Sequence, residues 1–203
     1  INAKNKMEFF VNHGYNNLAE FEEKIYTPGI DMYLNSSSVQ ARYHWNPNKN
    51  LKLLSGIQTI LESNDNGLDA EERLIDDSDQ FDMGAYSSLS YDLKGLQLNA
   101  VVRFDHRAVR SADFSGDYSN FNAAIGLRKQ WSGNALNDLS MHVSSGTRAP
   151  HLSELLSDGV HHGAVRYELG DRNLESERFV QLDVNYEFSN EHFSLMFNPY
   201  TTM

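Results

Sequence analysis

The sequence predicts an all-β chain, an antiparallel up-and-down transmembrane β-barrel segment of about nine strands. Three observations predict it. Apolar and polar residues alternate with period two, connections alternate long and short to the end of the chain, and aromatic residues bracket the alternating stretches. Successive side chains of a strand point to opposite faces, so alternation gives each stretch one oily and one wet side. Long connections confined to one end give the meander a direction that a soluble sandwich has no reason to show.

The alternating stretches cover residues 6–15, 32–45, 51–61, 81–91, 96–104, 121–131, 139–146, 180–188 and 193–200. In the fifth, Leu96, Leu98, Ala100, Val102 and Phe104 oppose Gln97, Asn99 and Arg103. In the eighth, Val180, Leu182, Val184, Tyr186 and Phe188 oppose Gln181, Asp183, Asn185 and Glu187. The second is imperfect: its apolar parity changes between Leu34 and Val39 across three serines, which predicts a bulge or a later strand start. Pro199 falls in the last stretch, where an interior proline would cost a ladder bond, so that strand ends early or bulges. The long connections, residues 16–31, 62–80, 106–120 and 147–178, are expected to face outside; 46–50, 92–95, 132–138 and 190–192 are short. Phe81 and Tyr91 bracket one strand, Phe121 and Trp131 another. About ten residues at about 3.4 Å each, tilted by roughly 45°, span about 24 Å, which matches an apolar band with aromatic girdles at both edges.

Composition narrows the function. A net charge of −11 with no basic patch argues against a nucleic-acid partner. There is no cysteine, so disulfides and thiolate metal sites are excluded. No run of about 18 apolar residues exists, so no transmembrane helix is expected. A mean hydropathy of −0.55 fits a barrel, in which only alternate residues face lipid. The first residues lack the basic region, apolar core and cleavage site of a signal peptide, and an odd strand count would leave open edges in lipid. Residues 1–203 are therefore expected to be a single partial barrel domain, incomplete at both ends. No nucleophile elbow, H-E-x-x-H or phosphate-binding glycine loop is present, so no enzymatic role is expected.

The longest connection carries the most chemistry. Its ligand-binding candidates are Arg148, His151, Glu154, Asp158, His161, His162, Tyr167 and Glu168. Imidazole and carboxylate suit zinc, iron or copper, which makes His151, His161 and His162 candidate metal ligands. Adjacent His161 and His162 would point opposite ways in an extended chain, and the spacing matches no standard ligand motif. A solvated polar loop with ordinary hydrogen bonds therefore stays open beside metal binding. Arg148 is expected to pair with a loop or lumen carboxylate, and Leu152, Leu155 and Leu156 predict one short helical turn over the loop base. The connection over residues 62–80 is acidic, with Glu62, Asp65, Asp69, Glu71, Glu72, Asp76, Asp77 and Asp79 against Arg73 alone. Asn64-Asp65-Asn66-Gly67 hints at a calcium loop, but Arg73 stands where the closing glutamate belongs. Solvated negative charge, bridged to lipid phosphates by divalent ions, is the expectation there.

Gly146-Thr147-Arg148-Ala149-Pro150-His151-Leu152-Ser153-Glu154-Leu155 resembles the G-x-R-A-P-x-x-x-E-L segment of TonB-dependent outer-membrane receptors. The likeness continues through Asp158-Gly159-Val160-His161-His162-Gly163, Tyr167-Glu168-Leu169-Gly170 and Asn173-Leu174-Glu175-Ser176-Glu177. Upstream, Glu72-Arg73-Leu74-Ile75-Asp76-Asp77 resembles a family segment that usually carries proline where this chain has Asp76. The resemblance implies a slice of a larger barrel of about 22 strands around an N-terminal plug. It implies a receptor in the bacterial outer membrane that binds a scarce nutrient and imports it with TonB-derived energy. Ferric siderophores, haem, cobalamin, metals and glycans are the family's cargoes. The implied partners are the TonB complex, through a plug outside this chain, together with outer-membrane lipid and the ligand. No resident cofactor is implied; zinc, an iron complex or haem would be cargo. A passive porin-like or adhesin-type barrel without a plug, and a soluble β-rich binding module, are the alternatives.

Overall fold

Seven long strands in succession, each hydrogen-bonded to the one before it, make up most of the molecule. The computed structural model describes residues 4–21, 26–161 and 166–203. The meander comprises β1 (Asn5–Glu20), β2 (Ile30–Trp45), β3 (Leu51–Asn66), β4 (Ser78–Leu93), β5 (Leu96–Ser111), β6 (Ser115–Ser132) and β7 (Leu136–Arg148). A helical turn, α1 (Leu152–Leu156), and a small hairpin of β8 (Asp158–His161) and β9 (Arg166–Leu169) follow. The chain then returns as β10 (Glu177–Ser189), which pairs with β7, and ends in β11 (Ser194–Phe197) and β12 (Tyr200–Thr202), both paired with β10.

Pro199 interrupts the last strand without bulging it: β11 ends at Phe197, as expected of a strand that stops early, and pairing resumes at Tyr200. Tyr186 faces Phe197 and Asp183 faces Tyr200, so residues 198 and 199 stand opposite 185 and 184 in unbroken register. The Pro199 carbonyl still accepts from Val184 N–H at 3.0 Å; only the return bond is missing. Taken as one interrupted strand, β11 and β12 give the sheet the predicted nine.

The predicted bulge in β2 is also absent: Ser36, Ser37 and Ser38 face Gly14, His13 and Asn12 one for one. The change of apolar parity has another cause. Val39, Ala41, Tyr43 and Trp45 lie on the outward face, continuous with Phe9, Ile57 and Ala85. Ile30 and Met32, of the opposite parity, are buried on the other face beneath the outer loops. One strand therefore serves an exposed oily surface at one end and a small core at the other. The outward face remains open, with Phe9 69%, Val11 76% and Ile57 63% exposed, an apolar surface of the kind that meets lipid or a partner.

The strands are longer than the alternation predicts. A strand of 16 residues is about 54 Å long, or roughly 38 Å along the normal at a 45° tilt, well beyond an apolar band of about 25 Å. Outside that band both faces are wet, so period two disappears from the sequence while the ladder continues. The connection expected over 106–120 shrinks accordingly to residues 112–114. The remaining outer connections are 21–29, 67–77 and 149–176. At the other end, Lys94 (φ 50°) and Gly95 (φ 87°) make a two-residue hairpin, and Asp92 accepts from Gly95 N–H at 3.1 Å.

On the inward face, glycines lie under large neighbours. A Cβ on Gly56 would meet the Tyr86 ring at 2.5 Å, and one on Gly84 would meet the Arg103 guanidinium at 2.5 Å. Gly126 lies likewise beneath His142, and Gly146 beneath Phe179. Each glycine lets a long side chain lie flat along the wall.

The buried apolar residues gather at the outer end. Ile30, Met32 and Leu74 form one cluster; Val109, Leu155 and Leu156 form another, and Ile75 packs against both. The predicted helical turn thus exists and buries Leu155 and Leu156, with Leu152 partly buried against them. Leu155 is 1% exposed, and truncating a buried leucine to alanine costs about 2–5 kcal/mol. Because the strand ladders do not depend on it, Leu155→Ala is expected to speed amide exchange locally across residues 152–158. The heat-modifiable gel mobility of the intact barrel should not change. Unchanged exchange in that segment would contradict the packing described.

Candidate functional site

The site is built where the chain leaves β7. Proline at 150 cannot continue a ladder, and His151 then takes extended angles (φ −81°, ψ 157°) as the N-cap of α1. The His151 side chain accepts from Ser153 N–H at 3.3 Å, and Glu154 accepts from His151 N–H at 2.8 Å, forming a capping box. Arg148 reaches both oxygens of Glu154, at 2.8 and 3.0 Å. It also reaches Glu177 through Nε at 3.0 Å, and Arg148 and Glu177 face each other at the end of the β7–β10 ladder. One guanidinium therefore ties together the start, the helical turn and the end of the excursion over residues 149–176. The Arg148 bonds, and behind them the His151 N–H, pull the Glu154 carboxyl from its ordinary 4.5 down to about 2.

The excursion is fastened to the other outer connections. Ile75 and Ser157 form an antiparallel bridge, and Asp158 N–H donates to the Leu74 carbonyl at 3.0 Å. Arg172 lies 3.5 Å from Asp76 and donates to the Asp113 carbonyl. Residues 67–77 are bonded in turn to 21–29: Glu71 N–H donates to the Pro28 carbonyl and Glu72 N–H to that of Gly29. The outer connections thus form one hydrogen-bonded cap.

Beneath the cap the inward wall is polar. Arg107 grips Asp82 with two bonds, of 2.7 and 3.0 Å, and gives a third to the Pro150 carbonyl at 3.2 Å. Arg103 Nε donates to Asp105 at 2.8 Å, and Gln80 donates to Glu62 and Asp82. A cavity of about 280 Å³ opens among Asp82, Arg103, Asp105, Arg107, Asn120 and Arg148. Its cations are matched by carboxylates, so it offers both donors and acceptors to a polar solute.

Of the residues singled out in the sequence, Arg148 and Glu154 come together, and His151 caps the helix they hold. The Tyr167 hydroxyl donates to Asp158, and this bond raises the phenol above its usual range. Glu168 pairs with Arg166 at 2.7 Å on the exposed hairpin. The backbone of His161 ends β8, and His162 lies outside the described residues. Among the described residues, no group of three or more His, Asp or Glu could hold a metal ion. In the acidic segment Asp65 belongs to β3, whereas Asp69, Glu71, Glu72, Asp76 and Asp77 lie on residues 67–77. Asn66 donates from its amide side chain and its backbone to Asp77, lowering that carboxyl below its usual range, and so closes the loop. Sequence reasoning missed the strand-borne Asp82–Arg107 pair. The two residues face each other in register on adjacent strands, a signal visible once the strands are extended past the aromatic band.

A family model described as TonB dependent receptor-like, beta-barrel, matches residues 5–201. Among solved structures, the copper transporter OprC superposes with a TM-score of 0.69 at 14% identity, covering 98% of this chain and 35% of its own. The FrpB iron transporter from Neisseria meningitidis (F5-1 variant) gives 0.68 at 14% identity, covering 98% and 33%. Its F3-3 variant gives 0.64 at 14% identity, covering 86% and 28%. The chain thus spans about a third of the length of these structures, and the likeness is one of fold. None of the curated proteins matches the sequence.

The depressed carboxyl of Glu154 sets an acid limit on the clasp. Its contribution is complete above pH 4.5 and is lost as pH falls from 4.5 towards 2. Spin labels at Leu68 and Leu174, both exposed, are expected to give one narrow distance at neutral pH that widens about the same centre through this window, because the ion pairs orient the loop while its buried leucines seat it. Glu154→Gln should show the widened distribution already at neutral pH. An unchanged width at pH 2 would show that the clasp does not orient the loop.

Proposed function

Because this chain belongs to the TonB-dependent receptor β-barrel family, we propose that it forms part of the wall and outer gate of an outer-membrane receptor. The receptor binds a scarce nutrient at the cell surface and imports it with TonB-derived energy. The observation that carries this is the inward fold of residues 149–161 and 166–176, seated through Leu155 and Leu156 on Val109, oriented by Arg148 and roofing a polar wall. A receptor needs its outer surface preorganised around a ligand, and a loop fastened to its neighbours supplies that. The matched donors and acceptors of Asp82, Arg103, Asp105 and Arg107 suit a cargo recognised through hydrogen bonds. The copper and iron transported by the structural neighbours make a metal, carried free or as a complex, the first cargo to test. In this scheme the outward apolar face meets outer-membrane lipid, and the TonB complex acts through a plug domain outside this chain.

The test uses the full-length receptor in a deletion host, with radioactive iron and copper supplied at limiting concentration. Uptake of at least one metal is expected to saturate, and to stop when a proton uncoupler is added or TonB is deleted. Uptake that is linear in concentration and indifferent to the uncoupler would identify a passive barrel instead.

A further inference from the structure

The seam between β6 and β7 opens towards its outer end. Pairing of these two strands stops at Ala124 and Ser144. Yet β6 runs on to Ser115 with its other side bonded to β5, and β7 runs on to Arg148 with its other side bonded to β10. Side chains close the throat of this fork: the Ala123 N–H donates to Ser145 Oγ at 2.9 Å, and Thr147 Oγ1 donates to Asn122 Oδ1 at 3.0 Å. Beyond them no described strand pairs with this edge of β6.

The backbone groups of an antiparallel strand turn alternately to its two sides. Ala123 aims its N–H towards β7, so Phe121, Ser119 and Asp117 aim theirs into the fork. The Phe114 carbonyl, of the other parity, accepts from Ser111 of β5 at 2.9 Å. Asp117, Ser119 and Phe121 are all exposed. Two hollows that share Ser119 and Arg178 run beside the open edge. The lower, of about 510 Å³, mixes Phe121, Val180 and Met203 with the hydroxyls of Ser145 and Thr147. The upper, of about 590 Å³, is lined by Asp117 and Glu175 among others. Phe121 stands at the outer aromatic edge of the apolar band, so Ser119 and Asp117 lie above lipid, where water reaches an open ladder.

Donors and acceptors at strand spacing along an open edge match another extended backbone. We propose that this edge of β6 docks an extended segment of a second polypeptide arriving from outside the cell, which joins the sheet as a strand beside Asp117, Ser119 and Phe121. The lining of the hollows is part apolar and part polar, so main-chain bonds rather than a side-chain code supply the recognition. This docking is independent of the import scheme above.

Proline supplies the test, because at 119 or 121 it removes a donor aimed into the fork and spares the ladder to β5. The probe is a short fluorescein-labelled peptide of alternating threonine and valine with lysine at each end. It is titrated against the purified full-length receptor in detergent and followed by fluorescence anisotropy. Saturable binding is expected. Ser119→Pro and Phe121→Pro should each weaken it by about tenfold, the effect of one lost hydrogen bond, whereas Ser119→Ala and Phe121→Leu keep the N–H and should stay within about twofold of wild type. Heat-modifiable gel mobility identifies the variants that have folded. A twin peptide with every amide N-methylated keeps its side chains, loses its donors and should not bind. Binding of that twin, wild-type affinity in a folded proline variant, or no saturable binding to the wild type overturns the proposal. Binding that is present in detergent and lost in phospholipid vesicles would assign the hollows to lipid and overturn it as well.

Discussion

A slip of one residue anywhere between β1 and β12 would exchange the two faces of every strand beyond it, sending Phe104 inward and Arg103 into the oily surface. Unbroken antiparallel register is the constraint on which the rest of this molecule depends. It places Phe9, Ile57 and Phe121 on one face and Asp82, Arg107 and Asp183 on the other. It brings Arg148 opposite Glu177 at the point where the longest excursion departs and returns. It also carries β11 into β12 across Pro199 with no change of facing, because a single missing donor on a strand that keeps its other bonds is cheaper than a shift in register.

Two interactions of different kind hold the outer cap. Exposed ion pairs are each worth about 0–1 kcal/mol, so the bonds from Arg148 to Glu154 and Glu177 are too weak to dock a loop of this size alone. Their value is directional: a planar guanidinium serving two carboxylates fixes the angle at which the chain leaves β7. The holding force comes from Val109, Leu155 and Leu156, whose burial is nearly complete. The backbone bridge between Ile75 and Ser157 then joins the excursion to its neighbour, and Arg172 joins it to the turn at 112–114. What began as separate connections has the mechanical character of one plate.

Within the apolar band the sequence was transparent, since lipid on one side and water on the other impose period two; nine strands and their facing could be read from it. Above the band the pattern is silent, and the ladder of β5 and β6 through residues 105–121 was mistaken for a loop. The parity change in β2 was visible but misattributed, because a bulge and a handover from an outer oily surface to an inner core look alike in one dimension. At the site, Arg148 and its carboxylate partners were foreseeable from charge and proline placement. The Asp82–Arg107 grip was not, since it arises from a cross-strand neighbour and from a loop that folds over it. His151 was read for its imidazole alone, and its place as the cap of a helical turn became visible only with the backbone around Pro150.

The glycines of the inner wall have a consequence for how this protein can vary. Gly56 and Tyr86, Gly126 and His142, and Gly146 and Phe179 are register partners, each an empty position roofed by a full one. The total volume of each pair, rather than the identity of either member, is what the wall specifies. A lineage could move the bulk from one strand to its neighbour, with tyrosine at 56 and glycine at 86, and keep the same smooth bore. Neither half of that exchange would be tolerated first if it meant two large rings in one place, so the path runs through the doubly small intermediate. Such pairs should drift together, and in that order.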